Sequence, residues 1–75
     1  MPKINIEEHA KLRMRQRQVT AEDIAYVWQH YDAERPAEVQ GFVVRTGRVP
    51  DGRAIEVVAK LTPQIFHVKT VWEIE

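Results

Sequence analysis

Apolar residues recur at two different periods along this 75-residue chain, and the change falls near Gly41. Before it they stand three and four apart, as on one face of a helix; after it they alternate, as along a strand. The first helix is placed at about 6–17. Ile6, His9, Ala10, Arg13, Met14 and Arg17 share one face, and Glu7, Glu8, Lys11, Arg15 and Gln18 lie opposite. Ile6, Ala10 and Met14 need a partner surface, because an amphipathic helix is held mainly by its apolar stripe. Just upstream, Lys3-Ile4-Asn5-Ile6 alternates as a very short edge strand does. Asn5 also fits as an N-cap, with Glu8 three residues on to complete a capping box.

A second helix is announced by Thr20 as a cap, with Glu22 and Asp23 in the first turn, where the helix dipole favours acids. Ile24, Val27, Trp28 and Tyr31 then form its buried stripe. Asp32 to Glu38, with Pro36 inside it, reads as a charged connector.

Three strands follow: Phe42 to Val49, Ala54 to Leu61, and Ile65 to Ile74. The first two are joined by Val49-Pro50-Asp51-Gly52-Arg53, where proline presets the turn and glycine accepts positive φ. In the last strand, Phe66, Val68, Thr70, Trp72 and Ile74 fall on one face and Ile65, His67, Lys69, Val71 and Glu73 on the other. The expected fold is α+β: two N-terminal helices packed on one face of a three-stranded antiparallel meander, with Lys3–Ile6 as the short extra edge strand if it pairs. Residues 1–75 make a single domain. Trp28, Tyr31 and Trp72 sit in apolar stripes and are expected in the core.

Composition narrows the function classes. An apolar content of 44% with 29% charged residues is that of a globular chain, not a disordered one. There is no cysteine, so disulfides and thiolate zinc sites are excluded, which suits a reducing cytoplasm. No segment approaches the roughly 20 apolar residues of a membrane span, and the N-terminal stretch lacks a signal-peptide core. Zero net charge argues against a strongly basic polymer binder. The distribution is uneven, however: residues 1–18 carry five basic and two acidic side chains, net +3, and residues 19–75 carry six and nine, net −3. A local basic patch of this size suits contact with one or two phosphates. His9, Arg13 and Arg17 are drawn towards the core edge by the helix face they share, so they need an anionic partner, either a carboxylate of this chain or a phosphate. His9, His30 and His67 lie on separate elements without ligand spacing, so neither a metal nor another cofactor is expected.

Four pieces of sequence carry a resemblance: His9-Ala10-x-x-Arg13-Met14-x-x-Arg17; Val19-Thr20-x-x-Asp23-Ile24; Asp51-Gly52-Arg53; and Val68-x-Thr70-Val71-Trp72. Together they resemble a family of small bacterial domains of unknown function that looks related to the RelE-like toxins, in the barnase–EndoU–colicin–RelE group of metal-independent ribonucleases. The resemblance covers about residues 4–73. One departure is Gln18, where that family usually has glycine. It implies helices on an antiparallel sheet, RNA as substrate, cleavage by 2′-hydroxyl attack, and an antitoxin or other protein as partner.

Within that resemblance His9, Arg13 and Thr70 form the candidate catalytic set. Histidine as a residue type titrates near neutrality and suits proton transfer, arginine presents a planar fork to phosphate oxygens, and threonine donates to one of them. Arg17, Arg45, His67 and Lys69 are the candidate substrate contacts, and His67 beside Lys69 and across from Glu56 offers an alternative acid–base pair on the open sheet face. Plainer roles compete with both sets. Arg13 or Arg17 pairs with Asp23 and locks the helices together in one, with His9 capping a backbone carbonyl. In the other, the sheet charges are cross-strand pairs on a solvated face. A non-catalytic interaction module is the alternative function.

Overall fold

A computed structural model describes residues 3–74. Seven elements follow one another: β1 (Lys3–Ile6), α1 (Glu8–Arg17), α2 (Ala21–Gln29), β2 (Ala33–Pro36), β3 (Val43–Arg48), β4 (Ala54–Leu61) and β5 (Ile65–Ile74). The strands form one sheet in the order β1-β5-β4-β3-β2, with β1 parallel to β5 and every other pair antiparallel. The three-stranded antiparallel meander expected from the sequence is therefore wrong. The sheet is five-stranded and mixed, and the architecture remains α+β.

Both added strands lie at the edges. In β2, Ala33, Glu34, Arg35 and Pro36 are all exposed, so no apolar alternation marks them. Charge and proline suit an outer strand, where they discourage pairing with another chain. β1 pairs Lys3 through Ile6 with Ile65 through Val68, a partner about sixty residues away that no local pattern reveals. Asn5 is part of that strand and does not cap α1; Glu7 holds the N-cap position.

The core lies between the helices and one sheet face. Ala10 of α1 and Ile24, Val27 and Trp28 of α2 pack with Ile55, Val57 and Ala59 of β4 and Phe66, Val68 and Val71 of β5. Thr20 closes a complete capping box with Asp23, so α2 begins where the sequence places it. α2 also approaches β3 closely: a Cβ on Gly47 would stand 3.2 Å from the Tyr31 Cα and 3.4 Å from Val27 Cγ1. Trp28 is buried, as expected. Tyr31 and Trp72 are not core residues, being 40% exposed each.

The reason for Trp72 is a β-bulge. Val58 pairs with Thr70 but the next residue, Ala59, pairs with Val68, which leaves Lys69 unpaired in β5. One inserted residue reverses the alternation that follows it. Phe66 and Val68 face the core, and so does Val71, whereas Thr70 and Trp72 turn to the open face. The row Phe66, Val68, Thr70, Trp72, Ile74 read from the sequence is thus broken at its middle.

α1 ends on Gln18, which adopts a left-handed conformation (φ 56°, ψ 45°) and bonds its N–H to the Met14 carbonyl. Such a position favours glycine. Because the Gln18 side chain is exposed, Gln18→Gly is expected to stabilise the domain by about 0.5–1 kcal/mol, seen as a Tm several degrees higher by calorimetry. An unchanged or lower Tm would show that the strain is relieved elsewhere.

Candidate functional site

β1 stops at Ile6, opposite Val68, and the Glu7 N–H still reaches the Val68 carbonyl at 3.1 Å. Beyond that point α1 takes over as the neighbour of β5, so its first two turns lie along the sheet edge just past the bulge. Four residues of helix advance about 6 Å, and two residues of strand about 6.6 Å. The two elements consequently run in step. His9 Nε2 lies 3.1 Å from Thr70 Oγ1, and one turn on, the Arg13 guanidinium lies 3.7 Å from the centroid of the Trp72 ring. The spacing His9-x-x-x-Arg13 on the helix thus matches Thr70-x-Trp72 on the strand.

The open face of the sheet extends from this edge in register. One row runs Thr70, Val58, Val44, Arg35; the next runs Trp72, Glu56, Thr46. All of these but Thr46 line a groove of about 320 Å³. Glu56 accepts a hydrogen bond from Arg35 at 3.0 Å and has the Thr46 hydroxyl 3.5 Å away. On the far side of the bulge, His67 Nε2 stands 2.7 Å from Glu7 Oε2, with Lys69 Nζ 3.8 Å from the same oxygen. Phe42 lies edge-on to His67 (5.2 Å between centroids), and Lys60 and Lys69 approach its ring at 5.3 and 5.8 Å.

The fold therefore brings His9, Arg13 and Thr70 together, and the bulge adds His67 and Lys69 to the same face. His67 and Lys69, which the sequence alternation puts on the face opposite Thr70, thus share one surface with it. The suggested pairing of His67 with Glu56 is incorrect, since Lys60 stands opposite His67 and Trp72 opposite Glu56. Glu7 is the carboxylate on His67.

Arg45 is elsewhere. It lies on the helix side, its guanidinium 4.2 Å from the centroids of both Trp28 and Tyr31, bonded to the Trp28 carbonyl (2.8 Å) and Glu34 (2.7 Å). Arg17 is exposed, and its carbonyl, with that of Gln18, accepts from Arg53. Asp23 pairs with Arg53 at 3.8 Å and not with Arg13 or Arg17. Arg53 also holds Asp51: its backbone N–H first, and then its guanidinium, keep that carboxyl below the usual carboxylate range.

The family comparison matches residues 6–73 to a domain of unknown function (DUF4258). The chain belongs to this family. The DUF4258 span includes α1, the bulge and the whole of the edge constellation. No curated protein and no solved structure matches the chain.

Within this DUF4258 domain, the residues missed by sequence reasoning are Glu7, Trp72 and Phe42. Glu7 lies two residues before His9 but acts on His67, and only the parallel β1–β5 pairing makes that contact. Among the described residues no group of three His, Asp or Glu side chains is gathered for a metal ion.

Arg13 has no carboxylate partner among the described residues, so its donors stay available while Trp72 holds the guanidinium plane. A cation–π contact of this kind is worth about 0.5–2 kcal/mol. Arg13→Ala is expected to cost about 1 kcal/mol in urea unfolding, whereas Arg15→Ala, on the exposed side, stays within about 0.5 kcal/mol of the parent. Equal losses would mean that Trp72 does not hold Arg13 in solution.

Proposed function

We propose that this domain is a metal-independent endoribonuclease of RelE-like toxin type, acting on RNA bound across the open sheet face. The observation that supports this most is the bulge at Lys69, which gathers His9, Thr70, Arg13, Lys69 and His67 on one accessible surface. Cleavage by 2′-hydroxyl attack places the attacking and leaving oxygens on opposite sides of phosphorus, so it calls for two proton-transfer groups, and this face carries two imidazoles.

The hydrogen bonds divide the roles. A carboxylate only accepts, so His67 donates Nε2–H to Glu7 and keeps Nδ1 as its accepting nitrogen, the arrangement of a carboxylate-oriented base. His67 takes the 2′-hydroxyl proton as O2′ attacks phosphorus. His9, fixed by the Thr70 hydroxyl, gives a proton to O5′ as the P–O5′ bond breaks. The products are a 2′,3′-cyclic phosphate and a 5′-hydroxyl. Arg13 and Lys69 offset the charge on the pentavalent phosphate, and Thr70 donates to a phosphate oxygen. Arg45 and Arg17 have no part in this.

Expression in a bacterial host separates this function from a non-catalytic interaction module. The wild type should arrest growth and His9→Ala should not. Equal growth of both, with folded protein present and no antitoxin co-expressed, would favour the interaction module.

A further inference from the structure

Beyond Thr70 and Lys69, the residues lining the groove beside the phosphate site are unused by the mechanism, and they have a defined chemistry. Val44 and Val58 make an apolar floor, Trp72 stands exposed along one side, and Glu56 and Arg35 meet across the middle. Both contacts to Glu56 fall on Oε2, from Arg35 at 3.0 Å and Thr46 at 3.5 Å; Oε1 has no hydrogen-bond partner among the described residues. The Glu56 side chain is 21% exposed and that of Arg35 is 60% exposed, so the carboxylate lies towards the floor and the guanidinium towards solvent.

We infer that this groove is a guanine-binding subsite for the nucleotide next to the scissile phosphate, with Trp72 stacking on the base and Glu56 and Arg35 reading its edge. This inference rests on the ribonuclease reading for its substrate. Stacking on an indole is open to every base, so the choice lies in the hydrogen bonds. A carboxylate accepts only, and a guanidinium donates only. Side by side they present acceptor, acceptor and donor. The Watson–Crick edge of guanine presents donor (N2–H), donor (N1–H) and acceptor (O6), the complement in that order. Adenine and cytosine place an unprotonated ring nitrogen beside their single amino donor, against a carboxylate oxygen. Uracil flanks its one N–H with two carbonyls, which meet the carboxylate as like acceptors. The location fits as well: Thr70 and Trp72 are two residues apart, about 6.6 Å along the strand, so a phosphate at Thr70 leaves its neighbouring base beside Trp72.

The test uses 2′-O-methyl heptauridylates whose central residue is U, A, C or G, with binding followed by fluorescence anisotropy at one fixed salt concentration. The methyl group blocks cleavage, so binding is read alone. The central-G oligonucleotide should bind about tenfold or more tighter than the other three, the discrimination expected of one good bidentate pair. Glu56→Gln should remove that preference while the all-uridine affinity stays within about twofold, because stacking and phosphate contacts are untouched. Arg35→Ala, a truncation at an exposed edge position, should reduce the guanine preference in a protein whose circular dichroism is unchanged. Equal affinity for all four oligonucleotides, or a preference that survives Glu56→Gln, would overturn the guanine subsite and leave RNA binding standing. Failure of all four to bind would overturn both readings.

Discussion

His9→Ala and His67→Ala should each lower the RNA-cleavage rate by at least about 10²-fold, the lower end of what a general acid or base contributes. The proposed mechanism needs both histidines because it places attack and departure on opposite sides of phosphorus, and the two imidazoles have different partners, Thr70 for His9 and Glu7 for His67. Removing them should leave the fold intact, since neither belongs to the apolar core. Single-turnover rates on a labelled oligoribonucleotide, with far-UV circular dichroism as the control, decide the matter. If His67→Ala retains near-full activity, the base is elsewhere and His67 only holds Glu7. If His9→Ala retains it, the helix edge is structural and the proposed site is misplaced.

Arg53→Ala should be the most destabilising change outside the apolar core. Its guanidinium donates to the carbonyls of Arg17 and Gln18, two of the orphan acceptors at the end of α1, and it also pairs with Asp51 at 2.9 Å and Asp23 at 3.8 Å. One side chain thus ties the end of α1, the start of α2 and the β3–β4 hairpin together. Hydrogen bonds from a charged group are worth about 1.5–3 kcal/mol each in a favourable case, and these share one side chain that is 28% exposed, so a total loss of about 2–3 kcal/mol is expected. For a domain of this size that lowers Tm by roughly 10 °C or more. Arg53→Lys should recover little, because an ammonium lacks the fork that spans two carbonyls. A loss below about 0.5 kcal/mol would mean that water satisfies the helix end equally well.

The same cluster gives a pH dependence with a definite sign. The folded-state pKa of Asp51 lies below its unfolded value, so its contribution is present above the ordinary carboxylate value, about 4. It fades as the pH falls through the lower, folded-state value. Asp51→Asn should therefore reduce stability at neutral pH and cease to differ from the parent at the acid end.

The sequence made some of this legible and hid the rest for identifiable reasons. α2 was readable because Thr20 and Asp23 mark its start and Ile24, Val27 and Trp28 repeat at helical spacing. The hairpin was readable because Gly52 takes the positive φ (99°) that its turn requires. β2 was not, since an exposed edge strand has no buried face to impose alternation. β1 was suggested by its alternation, but its parallel pairing with β5 depends on residues at the other end of the chain. The bulge had the largest consequence. Between Val68 and Val71 the apolar spacing is three where a regular strand would have two, and that single irregular interval is the only local sign that Thr70 and Trp72 face outward. The fold still brings His9 to Thr70, with Arg13 one turn further on, although Thr70 faces away from the core, because α1 sits at the sheet edge and reaches round it.

The most direct measurement is product analysis on an oligoribonucleotide incubated with purified protein in excess chelator, beside a copy carrying one 2′-deoxy residue at the cleavage position. The expected result is cleavage of the all-ribose strand to a 2′,3′-cyclic phosphate and a 5′-hydroxyl, with the substituted position left intact. Cleavage that continues at the deoxy position, or that stops when chelator is added, would contradict metal-independent attack by the 2′-hydroxyl.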